Sequence, residues 1–185
     1  MPRLRQLEDH ELEPSSSALF EELRAMGSEP PALYRILAVS PPLLRAWTDL
    51  SWPLRSTPHA DRGMRELLIM RTAQLSGCSY EWAHHWGLAL KNGVAAAKLE
   101  ALDRWCDSAL FSPAECAALT VNDEICKGDV KDSSFAALEK YFSEEAIVQL
   151  MMTTCFYICV AKLVSAAALQ PECEYEDVPF LEKYS

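Results

Sequence analysis

"RELLIMRTAQLSGCSYEWAHHWGLALKNGV", residues 65–94, decides how the chain is built. Apolar residues recur at helical spacing on both sides of "SGC", which predicts two consecutive helices. The first follows "STPHADRG" and runs from about Asp61 to Leu75, where Gly77 stops it. The second starts at Cys78 and runs to about Lys91, ending at "NG". A reversal at Ser76–Gly77 folds the two together as a helical hairpin.

Outward from this hairpin the same period recurs, while strict apolar/polar alternation is hard to find and there are only six glycines. A helix over about 17–26 is predicted to end at Gly27, and a short one runs from Pro31 to about Val39. "SPPLLRAWTDLSW" opens another, with Ser40 as cap and Pro41 in its first turn. C-terminal to the hairpin, "GVAAAKLEALDRW" gives a short helix. "SPAECAALTVNDEIC" begins with a capping box of Ser112 and Glu115, and "DSSFAALEKYF" is capped by Asp132. The last helix, about Glu144 to Leu169, has acids in its first turn and an apolar middle, as a buried spine requires. The expectation is an all-α, single-domain helical bundle over residues 1–185. Its acidic, aromatic tail, 171–185, carries Tyr175, Phe180, Leu181 and Tyr184 and is expected to dock on a neighbour or cap a pocket.

Composition narrows the function. A formal charge of −10 argues against nucleic acid and anionic membrane surfaces, which need clustered Lys and Arg. It leaves room for a small anion, since one buried Arg can hold a carboxylate against the global field. The N-terminus lacks the apolar run of a signal peptide. The most apolar stretch, between Glu145 and Lys162, has 16 residues where a bilayer span needs roughly 20. Seven cysteines, an odd number without any CxxC, suit free thiols in a reducing cytoplasm.

The chemistry concentrates in "SGCSYEWAHH", residues 76–85. Glu81 and His85 are i and i+4 and share a helical face, with His84 flanking it. Glu66, twelve residues before Cys78, is brought toward them by the reversal. Two carboxyls and an imidazole in an apolar pocket push one carboxyl pKa up and poise a proton relay. Each residue also has a structural role open to it. Glu81 sits where a capping-box Glu would, His85 suits a core histidine, and Glu66 can pair with Arg62 or Arg65. His84 is expected toward solvent or an interface. Trp82 and Trp86, also i and i+4, suit a core as well as a substrate wall. Cys78 at a helix N-terminus is a candidate nucleophile with a depressed pKa. No metal is expected, because adjacent His84 and His85 diverge by about 100° whereas zinc helices place two His at i and i+4.

These residues carry a resemblance. The quoted hairpin resembles the core of the carboxymuconolactone decarboxylase and alkylhydroperoxidase-D-like superfamily. In the peroxidase branch a Glu is followed after twelve residues by the first Cys of a CxxC, and a His stands four after the second Cys. Glu66, Cys78, Glu81 and His85 occupy those positions here. The order of elements agrees over roughly 15–170, and the sharp motif covers 62–93. Glu81 replaces the cysteine that attacks peroxide, so the resemblance points to the decarboxylase-like branch, whose members move protons without a cofactor. It implies an all-α fold and a homo-oligomer, a trimer or hexamer, in which neighbouring subunits wall the pocket.

The resulting expectation is a cofactor-free enzyme acting on a small lactone, keto or unsaturated carboxylic acid. Catalysis is assigned to Glu66, Glu81 and His85, with Cys78 a bystander or weak donor. Substrate binding is assigned to Tyr80, Trp82, His84, Trp86 and Arg71, with Arg45 a second arginine to consider. Two rivals stay open: a thiol peroxidase or redox sensor using Cys78, and a catalytically silent assembly protein of the same fold.

Overall fold

The computed structural model describes residues 2–172 together with Tyr175 and Val178. The tail residues Phe180, Leu181 and Tyr184 lie outside the described residues. Among the described residues there are nine α-helices, two short 3-10 turns and no strand. The helices are α1 (Pro14–Ala25), α2 (Ala32–Leu37), α3 (Pro41–Ser56), α4 (Arg62–Leu75) and α5 (Ser79–Lys91). They continue with α6 (Ala96–Glu100), α7 (Pro113–Lys127), α8 (Asp132–Leu138) and α9 (Glu144–Ala167).

The hairpin α4–α5 is the centre of the fold. Asp61 caps α4 by accepting from the Met64 amide, and Gly77 turns the chain in the left-handed region at φ 60°. Helix α4 is buried on every side, from Arg65 through Gln74. It therefore separates two apolar cores. Ile69 joins Phe20, Leu33, Leu44, Tyr80, Phe156 and Val160 on one side, whereas Leu67, Leu68 and Met70 join Trp82, Leu99, Leu119 and Leu150 on the other. Each such fully buried side chain contributes about 1.5–3 kcal/mol relative to exposure. At Gly63 the first turn of α4 lies against the end of α5, so closely that a β-carbon there would sit 2.6 Å from the Asn92 carbonyl oxygen.

Helix α9 has 24 residues and begins at Glu144 as expected, ending two residues before Leu169. Its length and composition would suffice to cross a membrane, but more than half of its most apolar stretch is buried within the bundle. Ser112 and Glu115 form the expected capping box at α7. Among the described residues all six cysteines are free.

Helix α3 departs from expectation. Proline inside a helix removes an N–H and clashes with the preceding turn, yet α3 continues through Pro53 to Ser56. Side chains from α4 and α9 hold this last turn. Arg65 donates to the carbonyls of Leu54 and Arg55 at 2.5 and 3.0 Å, and Arg62 donates to Arg55 at 3.1 Å. Gln149 on α9 donates to Leu54 and Thr57 and accepts from the Ala60 amide. The open carbonyls of the helix end are thus satisfied by side chains, and Arg55 is fixed beside the hairpin.

Candidate functional site

Glu66 on α4 and Glu81 and His85 on α5 meet in the interior, all at most 5% exposed. His85 Nδ1 lies 2.7 Å from Glu66 Oε2. The other Glu66 oxygen accepts from Arg62 Nε at 2.7 Å, and a second Arg62 nitrogen approaches it as well. On the far side of the ring, His85 Nε2 lies 3.6 Å from Glu81 Oε2. One imidazole therefore stands between two carboxyls, hydrogen-bonded to the first and facing the second across a gap.

The carboxyls differ in pKa. Burial works to raise Glu66, but the charge and hydrogen bond of His85 together with Arg62 outweigh it and hold the group below the ordinary range. Burial raises Glu81, and His85, His84 and Arg55 do not offset it. The two carboxyls are thus shifted in opposite directions, Glu66 toward its ionised form and Glu81 toward its protonated form, with the His85 ring between them. Glu81 takes no part in a capping box at α5.

A small chamber of about 60 Å³ opens onto this group, walled by Leu33, Tyr34, Trp47, Arg55, Phe156 and Tyr157 along with Glu81 and His85. It shares Tyr34, Arg55, His84 and His85 with a wider cleft of about 500 Å³, whose rim includes Pro31, Glu172 and Tyr175. Tyr157 packs edge-on against His85 at 4.9 Å, and burial pushes its phenol up to about 12. Its buried hydroxyl has no hydrogen bond of good geometry. Arg55 approaches the phenol oxygen as a donor, so the hydroxyl's own proton is available to a bound molecule.

Arg55 and Tyr157 were not legible as site residues. The Pro53 break hides Arg55, and Tyr157 is one aromatic among many on an apolar helix.

Several expected residues are placed elsewhere. Trp82 and Trp86 pack on each other at 5.7 Å in the second core and line neither cavity. Arg71 gives a fork to Asp123 at 2.8 and 2.6 Å and donates to Gln74 and the Leu102 carbonyl. It is absent from both cavity walls. Arg45 pairs with Asp49 on the outer face of α3. Cys78 is the N-cap of α5, but burial wins over the helix end and pushes the thiol up to about 11. It also lines neither cavity.

Tyr80 and His84 do line the chamber, stacked at 4.3 Å. His84 faces the cleft, not bulk solvent, and its Nε2 pairs with Glu172 of the tail at 2.6 Å. Among the described residues no three His, Cys, Asp or Glu side chains are placed to share a metal ion.

The sequence pattern of the carboxymuconolactone decarboxylase family matches residues 41–124, which include α4, α5 and the whole Glu66–His85–Glu81 group. The fold superposes on the alkylhydroperoxidase AhpD core of a peroxidase-related protein from Ralstonia eutropha JMP134 with a TM-score of 0.80. The two are 19% identical, over 94% of each chain.

Residues 41–124 thus carry the pattern of the carboxymuconolactone decarboxylase family, on a fold shared with the alkylhydroperoxidase AhpD core.

Another structure with this fold is that of the debrominase Bmp8, in a variant bound to 2,3,4-tribromopyrrole, at 19% identity and a TM-score of 0.80 over 95% of this chain and 94% of that one. Among curated sequences, the uncharacterized protein YdfG of Bacillus subtilis (strain 168) is 28% identical over 95 residues. That match spans 50% of this chain and 65% of YdfG.

Proposed function

We propose that this protein is a cofactor-free acid–base enzyme of the decarboxylase, lactone isomerase, cyclase or dehydratase type. Its substrate is a small lactone, keto or unsaturated carboxylic acid. The observation that carries this reading is the single imidazole between two buried carboxyls, hydrogen-bonded to one and facing the other across a gap, at the wall of a small chamber. Environments that drive two carboxyl pKa values apart separate the roles of acid and base.

In this reading His85 Nε2 takes a proton from a carbon or hydroxyl of the substrate. Glu66, held ionised by Arg62, stabilises the imidazolium through Nδ1. Glu81 delivers its proton at the other end of the reacting system. Arg55 and the Tyr157 hydroxyl stabilise charge developing on a carbonyl or carboxyl oxygen. Tyr34, Trp47 and Phe156 supply a dry, flat-sided wall. A neighbour of the same fold has been crystallised with a brominated pyrrole, and a planar unsaturated substrate suits such a wall.

The test is turnover of a panel of lactones, β-keto acids and unsaturated carboxylic acids by wild type, Glu81→Gln, His85→Gln and Cys78→Ala. Loss with the first two variants and near-wild-type rates with the third are expected. The thiol-peroxidase rival predicts the reverse pattern, with peroxide consumption in the presence of a dithiol and a sulfenate trapped on Cys78. A neutral, buried thiol off the cavity wall argues against that rival.

Self-association as a trimer or hexamer belongs to the same proposal. It is supported by an exposed apolar stripe on α9 formed by Val148, Met152, Cys155 and Cys159. Light scattering of the purified protein tests it, with a monomer as the outcome against it.

A further inference from the structure

Glu172, just after α9, closes on residues far away in the chain. Its Oε1 accepts from the Ala32 amide at 3.0 Å and from the Tyr80 hydroxyl at 3.2 Å. Its Oε2 lies 2.6 Å from His84 Nε2. The Leu33 amide donates to the Tyr80 oxygen at 3.3 Å, so that the phenol's own proton is free to point at the carboxylate. The donors come from two elements, α2 and α5. Tyr80 is 2% exposed and stacked on His84, which makes the cradle a fixed part of the pocket wall. Tyr175 packs against the His84 ring at 4.5 Å.

We propose that the Ala32 amide, the Tyr80 hydroxyl and His84 form a carboxylate subsite of the pocket, occupied in the free protein by the chain's own Glu172. A small carboxylate ligand binds there by exchanging with the tail.

The position of the cradle supports this assignment. His84 and Tyr80 line the inner chamber together with Glu81 and His85, so a carboxylate held on them directs the remainder of a small molecule toward the acid–base group. The charged groups around the cleft are Arg55 and Arg62 on one wall, Glu172 itself, and Glu29, which is paired with Arg24. Both oxygens of a planar carboxylate are matched, one by the Ala32 amide and the Tyr80 hydroxyl and the other by His84. Glu172 keeps about a third of its side chain exposed, so it can leave without opening the core.

A tethered competitor weakens the apparent affinity of every ligand that needs the same donors, because only the fraction of molecules with the tail released can bind. Removing its charge should therefore tighten ligand binding, which is the opposite of what loss of a binding residue does.

The inference rests on the cleft being the substrate pocket. It is tested by binding, not turnover, so its failure and the failure of the acid–base reading are separate results. Full-length wild type, Glu172→Gln and Glu172→Gln/His84→Ala are titrated calorimetrically with benzoate and with benzamide, its neutral counterpart, after thermal melts establish folding. The expected result is benzoate binding at least about tenfold tighter in Glu172→Gln than in wild type. Benzamide should show no such gain, and the benzoate gain should disappear in the double variant. Unchanged or weaker benzoate binding in Glu172→Gln, or no saturable binding to it, overturns the proposal. An equal gain for both probes also overturns it, because the tail would then be a steric cover without a carboxylate subsite beneath.

Discussion

Helix α4 carries two buried ionic groups of opposite character, less than two turns apart. At Arg71 the guanidinium donates to both oxygens of Asp123, to the Gln74 amide oxygen and to the Leu102 carbonyl, and Trp105 adds a bond to Asp123, while the Gln74 amide nitrogen stays buried without a partner. At Glu66 the chain of partners runs outward through His85 and stops short at Glu81, 3.6 Å away, beside a chamber walled by Tyr157 and Arg55. The first group holds α4 to α7 and lines neither cavity. The second faces the chamber, and its two carboxyls are shifted in opposite directions. Burial of charge alone therefore does not mark a functional site; an unfinished set of partners facing a cavity does.

The comparison is most severely tested by activity. Glu81→Gln keeps shape and removes the transferable proton, and His85→Gln removes the base. Each is expected to lower turnover by about 10²–10⁴-fold while Arg71→Met leaves the pH–rate profile unchanged. Stability should show the reverse. Arg71→Met strands Asp123 and is expected to cost about 3–5 kcal/mol in urea unfolding, with most of it recovered in Arg71→Met/Asp123→Leu.

The two carboxyls should also leave opposite marks on stability as pH changes. Glu66 is lowered on folding, so its contribution is complete above the ordinary carboxyl range and is lost as pH falls through its lowered value. Glu81 is raised, so its contribution is complete below the ordinary range and is lost as pH rises through its raised value. Glu66→Gln should flatten the acid limb of a stability–pH curve and Glu81→Gln the limb above it. A single limb common to both variants would show that the carboxyls do not differ in the way described. The smallest effect is expected at Cys78, where Ala should change stability by about 1 kcal/mol and where iodoacetamide should react slowly with the folded protein.

Much of this was legible in the residues because it depends on local spacing. The helical hairpin follows from Gly77 and the apolar period, and the meeting of Glu81 with His85 follows from an i,i+4 relation. Glu66 required only the reversal to bring it close. The same spacing rule misplaced Trp82 and Trp86, because it says which residues share a face without saying which core that face meets. Arg71 carried no sign of its partner Asp123, 52 residues away. Arg55 was hidden because proline normally ends a helix, and the carbonyl bonds from Arg62, Arg65 and Gln149 that keep α3 going belong to tertiary structure. His84 looked solvent-facing for a related reason: its partner comes from the far end of the chain.

One turn before Glu66, the missing side chain at Gly63 lets two backbones touch. That contact is a mechanical stop. Any side chain there would bring its β-carbon to 2.6 Å from the Asn92 carbonyl oxygen, so one arm of the hairpin would have to move away from the other. A single methyl group at the stop would hold the arms ajar. The packing of the two helices that carry Glu66 and His85 thus depends on a residue with no side chain of its own.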